Sequence, residues 1–171
     1  MKKQALSIAA VALALSLGGA NAATAPRVSI ASLNQLSTPL PYPYDENANA
    51  EAAVNAAFVR AKADGKRVMI DLGGNWCGDC RVLAGLMELP EVKRFVDAHY
   101  EFVAVDVGRF NKNMDVPARF GITDNLAGGV PSLIIANADG TVVDQGHIAA
   151  LEDARHMDPQ SIVDWLAKWA K

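Results

Sequence analysis

One short stretch, Trp76-Cys77-Gly78-Asp79-Cys80, constrains the fold of this chain most, because it lies between two different periodic patterns. Arg67–Leu72, before it, is a short apolar and β-branched run that is typical of a buried strand. Arg81–Leu89, after it, has helical spacing and ends at a proline. The motif is therefore predicted to lie in a turn that leads from a buried strand into the first turn of a helix.

The remaining patterns extend this unit into an alternation of helices and strands. Further helices are predicted at Glu51–Ala63, at Val92–His99 and after Asp158-Pro159, and further strands at Glu101–Val107, Ser132–Asn137 and Thr141–Gln145. Early alternation predicts a parallel strand pair, and the turn signal Asp139-Gly140 predicts an antiparallel hairpin. We therefore expect an α/β domain with a central mixed sheet of about four to five strands flanked by helices.

Residues 1–22 have the pattern of a secretory signal. Lys2 and Lys3 precede the apolar run Ala5–Leu17, and small residues in an A-x-A arrangement end at Ala22. This run is shorter than the roughly 20 residues that a membrane-spanning helix needs. We expect cleavage after Ala22 and a periplasmic location, while an uncleaved N-terminal anchor remains the alternative.

Residues 23–49 are predicted to form an extended leader to a folded domain at 50–171. Prolines that disfavour a helix recur through this segment, and Tyr42 and Tyr44 alternate with two of them. The tyrosines fit either a linker laid on the domain surface or a motif that binds a partner.

Length, charge and cysteine count limit the function classes. The 171 residues suffice for one domain, which we expect to be a monomer, and a domain of this size forms a core without disulfides. The formal net charge of −3 gives no basic excess for binding nucleic acid. Since the core does not need a disulfide, the two cysteines are free for chemistry. No cofactor is implied beyond this redox pair.

The spacing of Cys77 and Cys80 at a helix start is suited to thiol–disulfide exchange. Backbone N–H groups and the helix dipole stabilise a thiolate on Cys77, which attacks a partner's disulfide, and Cys80 then resolves the mixed disulfide. A structural disulfide would close too short a loop to remove much chain entropy. A zinc site would need two further ligands. The candidates are His99, His147 and His156, and no two of them form a close pair in the sequence.

The chain resembles the thioredoxin superfamily over about Lys62–Gly146. The matching segments are Ile70–Cys80, Gly129-Val130-Pro131-Ser132, and the turn glycines of Asp139-Gly140 and Gly146. The segments Ala61–Asp71 and Leu89–Val92 are similar to one branch, periplasmic thioredoxin-like domains such as the C-terminal domain of the transmembrane thiol–disulfide reductant carrier.

This resemblance implies roles for residues around the cysteines. Asp71 falls at the place of a buried acid behind Cys80; burial in an apolar strand raises a carboxyl pKa, which suits proton exchange with that thiol. Pro131 falls at the place of a cis-proline, and with Val130 it would form a docking edge for an extended substrate. Trp76 is expected to pack beside the reactive sulfur and contact substrate.

Gly78 and Asp79, between the cysteines, are expected to tune the redox potential. Asp79 replaces the proline common in thioredoxins, and its negative charge would raise the pKa of the Cys77 thiol. On that basis we expect a potential of about −200 to −270 mV, although a solvated Asp79 would have little effect. Ala104 falls where many thioredoxins carry a lysine, so the route of the proton is left open.

The sequence therefore predicts an exported thiol–disulfide oxidoreductase that reduces or exchanges disulfides in periplasmic proteins. Its expected partners are disulfide-containing proteins and a membrane thiol donor that recharges it. A disulfide-inserting oxidase, a non-catalytic adaptor on the same fold, and a metal chaperone remain alternatives, since the sequence does not supply the direction of electron flow.

Overall fold

The computed structural model describes residues 23–171, so the predicted signal at 1–22 lies outside the described residues. Helices and strands alternate much as the sequence predicts, with their bounds shifted by a few residues. No helix within 23–171 is both long and apolar enough to span a membrane. In chain order the elements are α1 (Ala50–Asp64), β1 (Arg67–Gly73), α2 (Gly78–Met87), α3 (Pro90–His99), β2 (Tyr100–Asp106), α4 (Asp115–Arg119), β3 (Ser132–Ala136) and α5 (Pro159–Lys168).

A three-stranded mixed sheet forms the centre of the described residues, with strand order β2-β1-β3. β1 is parallel to β2 and antiparallel to β3. Its central position places Asp71 between Ala104 on β2 and Leu133 on β3. The predicted α/β class and mixed sheet flanked by helices are confirmed.

The expectation of four to five strands is wrong for the described residues, because the segment predicted as a fourth strand, Thr141–Gln145, forms only one isolated bridge to β3. The reason is the buried side chain of Asp144, whose Oδ1 accepts the Ile135 N–H at 3.0 Å in place of a backbone carbonyl. Val143 N–H still donates to Ile135 O at 2.8 Å, so the segment follows β3 without a regular ladder.

Two apolar clusters cover the two faces of the sheet, because alternate strand residues point to opposite sides. Met69 and Leu133 pack with residues of α2, α3 and α5. Val68, Ile70 and Leu72 pack with α1 and with both cysteines. The cysteine motif therefore lies at the end of β1, anchored in the cluster on the α1 side.

The leader packs against the domain and is not wholly extended, since it contains a short 3-10 turn at Leu33–Gln35. The Gln160 side chain of α5 accepts from Val28 N at 3.0 Å and donates to Pro26 O at 3.1 Å. Tyr42 is exposed, whereas Tyr44 is buried in the cluster on the α1 side. The structure therefore matches the interpretation of this segment as a linker laid on the domain surface. Tyr44 differs from the rest of this surface segment, because its side chain is part of the core.

Asp144→Ala should lower the free energy of unfolding by about 2 kcal/mol, because it leaves the buried Ile135 N–H without an acceptor. Burial raises the pKa of Asp144 to about 6. Urea unfolding at about pH 3, where this carboxyl is mostly protonated in both the folded and the unfolded chain, therefore measures the lost hydrogen bond with little contribution from its titration. The matched control is Asp139→Ala, which removes an exposed acid that accepts from Thr141 N at 2.9 Å. An equal loss in the two variants would contradict the role given to Asp144.

Candidate active site

The cysteine motif folds as a tight turn between β1 and α2. The Cys77 N–H donates to Gly74 O at 2.9 Å, and Cys77 is the N-cap residue of α2. Cys77 and Cys80 form a disulfide, with their Cα atoms 5.3 Å apart. The Cys80 N–H donates to Cys77 Sγ at 3.1 Å. An N–H group of the helix start that has no carbonyl partner within the helix therefore points at this sulfur. The same donor and the helix dipole would stabilise a thiolate on Cys77 after reduction.

The two sulfurs differ in access. Cys77 is 5% exposed and Cys80 is fully buried. Cys77 Sγ also lies 3.4 Å from the carbonyl oxygen of Val130, and the Val130–Pro131 peptide bond is cis. The structure thus brings Val130 and Pro131 to the reachable sulfur, where the sequence resemblance puts a docking edge.

Trp76 forms an exposed aromatic surface next to this sulfur. Its side chain is 42% exposed, and its Nε1 donates to Gly108 O at 2.6 Å. The Arg109 guanidinium lies 4.7 Å from the ring centroid, and Phe110 meets the ring edge-on at 6.0 Å. The indole is therefore fixed by the loop after β2 while one part of it remains open to a bound chain.

Asp71 is completely buried in β1. Its Oδ2 accepts from the Tyr44 hydroxyl at 3.0 Å, and its Oδ1 has no hydrogen-bond partner among residues 23–171. Burial raises the pKa of Asp71 to about 7, although the hydrogen bond from Tyr44 opposes this rise. A carboxyl group with this pKa can both take up and release a proton near neutral pH.

Asp79 is not a solvated acid, which corrects that interpretation of the sequence. It is 8% exposed, and the Arg155 Nε lies 2.9 Å from each of its two oxygens. The Arg155 backbone N–H also donates to Asp79 at 2.9 Å. These bonds outweigh desolvation and lower the pKa of Asp79. Its charge is compensated, so the argument that it repels the Cys77 thiolate loses its basis.

Gly78 lies against this ion pair. A Cβ at this position would lie 3.0 Å from Arg155 Nη2, closer than ordinary packing allows. A side chain at Gly78 would therefore require a small shift of the flexible end of Arg155.

Sequence reasoning did not find two partners of the site, Tyr44 and Arg155. Arg155 lies 76 residues after Asp79, in a short 3-10 turn with no motif of its own. Tyr44 had a weak signal, because it alternates with prolines just before the first predicted helix. Within the described part of the chain, no group of three or more His, Cys, Asp or Glu side chains is arranged to hold a metal ion.

Comparisons with known proteins agree on one family. A family model described as thioredoxin-like matches residues 49–138, more than half of the chain. A thioredoxin from Alicyclobacillus acidocaldarius subsp. acidocaldarius is 31% identical over 81 residues, which cover 47% of this chain and 68% of that protein. The crystal structure of a disulphide isomerase from Xylella fastidiosa Temecula1 is similar with a TM-score of 0.68 and 34% identity. That match covers 75% of this chain and 97% of the other.

Arg155→Gln should raise the pKa of the Cys77 thiol by about half a unit, because it leaves the charge of Asp79 uncompensated two residues away. The thiolate absorbance of the reduced protein, followed against pH, measures this shift. The matched control is the double variant Asp79→Asn/Arg155→Gln, in which both charges are gone and the pKa should return close to the parent value. A double variant that stays as high as the single one would show that Arg155 does not act through Asp79.

Proposed function

The chain belongs to the thioredoxin-like family, and on that premise we propose that it is an exported thiol–disulfide oxidoreductase that reduces or exchanges disulfides in periplasmic proteins. The observation that carries the proposal is the Cys77–Cys80 disulfide at the N-terminus of α2, where the first sulfur accepts a backbone N–H and the second is sealed from solvent. Such a pair can alternate between dithiol and disulfide.

In the reducing direction, the Cys77 thiolate attacks a substrate disulfide. One substrate sulfur leaves as a thiolate, and a Cys77–substrate mixed disulfide forms. Cys80 then gives its proton to the Asp71 carboxylate and attacks Cys77 Sγ. The Cys77–Cys80 bond forms, and the second substrate sulfur leaves and takes up a proton. Two electrons have passed from the protein to the substrate. The Cys77 thiolate has been replaced by a substrate thiolate, and the Cys80 proton held by Asp71 goes to the second substrate sulfur.

Substrate binding is proposed to use Val130, Pro131 and Trp76. The Val130 carbonyl lies 3.4 Å from Cys77 Sγ, close enough to align an extended chain across that sulfur. The exposed part of the Trp76 indole offers an apolar surface beside it. Both contacts favour the backbone and apolar side chains of a protein substrate, and the likeness to a disulphide isomerase supports exchange of disulfides in such substrates.

The N-terminal sequence supports the proposed cellular setting. The secretory pattern of residues 1–22 supports export to the periplasm, a compartment in which disulfides form and persist. An enzyme that reduces disulfides there ends each turnover oxidised, so it needs a source of electrons. A membrane thiol donor that reduces Cys77–Cys80 would meet this need.

Cys80→Ser should accumulate mixed disulfides with periplasmic proteins, because Cys77 can still attack but the resolving thiol is missing. Non-reducing electrophoresis of the full chain after incubation with a periplasmic extract shows these adducts as bands that disappear on reduction. Cys77→Ser is the matched control, since it keeps one cysteine in the motif but loses the accessible sulfur.

Abundant adducts with Cys80→Ser and few with Cys77→Ser are the expected result. Equal labelling of the two variants would remove Cys77 as the nucleophile. A Cys80→Ser variant that forms no adducts, while the protein still binds its partners without either cysteine, would favour the adaptor on this fold.

A further inference from the structure

Tyr44, from the leader, lies beside both the buried acid and the resolving cysteine. Its hydroxyl donates to Asp71 Oδ2 at 3.0 Å, and both side chains are buried. A Cβ added at Gly73 would overlap the Tyr44 hydroxyl and lie 2.8 Å from Cys80 Sγ. The hydroxyl and this sulfur are thus no more than about 5 Å apart. The phenol therefore reaches the proton-transfer region from a segment that precedes the family match.

Residues on both sides of the cysteine motif hold Tyr44 in this place. The Asn75 side chain accepts from Tyr44 N at 3.2 Å and donates to Tyr44 O at 2.8 Å. Arg81 donates to Pro41 O at 3.0 Å and stacks on Tyr42 at 3.9 Å. The leader is therefore attached two residues before Cys77 and directly after Cys80, and its position is coupled to that of the motif.

No other side chain within residues 23–171 donates to the Asp71 carboxyl. The residues opposite it on the neighbouring strands are Ala104 and Leu133, which carry no donor, and Asp71 Oδ1 has no partner in the described part of the chain. A hydrogen bond to a carboxylate favours its charged form, while burial favours the neutral form. The Tyr44 hydroxyl is thus the group that keeps this acid partly ionised near neutral pH.

We infer that Tyr44 is a positioning residue for thiol–disulfide exchange: its hydroxyl orients the Asp71 carboxylate and keeps it able to accept the Cys80 proton. This inference rests on the proposed function. In the resolving step the Cys80 proton moves to Asp71, the Cys80 thiolate attacks Cys77 Sγ, and the substrate sulfur leaves with the electron pair of the broken bond. Tyr44 keeps its own proton throughout, because burial and Asp71 raise the pKa of the phenol far above its ordinary value.

Among residues 23–171, three other ionisable groups lie near the Tyr44–Asp71 hydrogen bond: two cysteines and one acid. Cys77 and Cys80 belong to the same apolar cluster as Tyr44, and Asp106 raises the pKa of Tyr44 from the end of β2. Asp106 is itself paired with Lys112 at 2.8 Å. A change in the pH profile that appears in Tyr44→Phe and needs Asp71 is therefore assignable to the hydrogen bond between these two residues.

The aromatic disulfide dithiobis(nitrobenzoate) is a probe that separates the two steps. Attack by Cys77 of the reduced protein releases one coloured thionitrobenzoate, and resolution by Cys80 releases the second. Tyr44→Phe should move the midpoint of the second step's pH profile upward by about one unit and slow that step about fivefold at pH 7. The first step should keep its rate, since Cys77 does not depend on this carboxyl.

Tyr42→Phe is the matched control, because it removes a hydroxyl from an exposed ring in the same segment and should leave both steps unchanged. Asp71→Asn should slow the second step at every pH, and adding Tyr44→Phe to it should cause no further change. Circular dichroism checks that each variant is folded.

An unchanged midpoint in Tyr44→Phe would overturn the inference, as would equal slowing in the Asp71→Asn background. Neither result would affect the proposed function if the parent protein still releases both thionitrobenzoates and forms the Cys77–Cys80 bond. A parent protein that releases one and forms no internal disulfide would overturn the proposed function and this inference with it.

Discussion

Burial of one carboxyl group is the constraint on which the site depends. Asp71 lies in the central strand of the sheet, fully enclosed, opposite Ala104 and Leu133. An acid in such surroundings resists ionisation, and the raised pKa makes it useful as a proton partner for a nearby thiol. The native state therefore holds a proton that the unfolded chain has already lost between about pH 4 and pH 7. Asp71 thus contributes most stability at acidic pH, and this contribution falls as the pH rises through that range.

The segment before the domain completes the site. Tyr44 supplies the hydrogen bond that opposes the rise in the pKa of Asp71 caused by burial. Asn75 and Arg81 hold the leader on the two sides of the cysteine pair. A proline-rich segment suits this task, because its fixed backbone angles reduce the entropy lost when it is held against the domain. Proton transfer and the packing of the leader are thus coupled through one phenol.

Local patterns in the sequence predicted much of the fold, and long-range side-chain contacts account for what they missed. Helical and strand periodicity located β1, α2 and the cysteine motif between them, because those signals lie within a few residues of one another. The prediction of a fourth strand was wrong, because the Asp144 side chain accepts a hydrogen bond that a backbone carbonyl would accept in a regular strand pair. The Asp79–Arg155 pair joins residues 76 positions apart, so only the folded chain reveals that the charge between the cysteines is compensated.

The protonation of Asp71 in the oxidised protein is the most direct test of this description of the site. Carbon NMR of the side-chain carboxyl, labelled in aspartate and assigned with Asp71→Asn, follows its titration without any substrate. We expect a midpoint near pH 7, about three units above that of an exposed aspartate. A midpoint near pH 4 would contradict the central claim. An acid with that midpoint is already fully ionised well below neutral pH, so it is neither effectively buried nor poised to exchange a proton with Cys80.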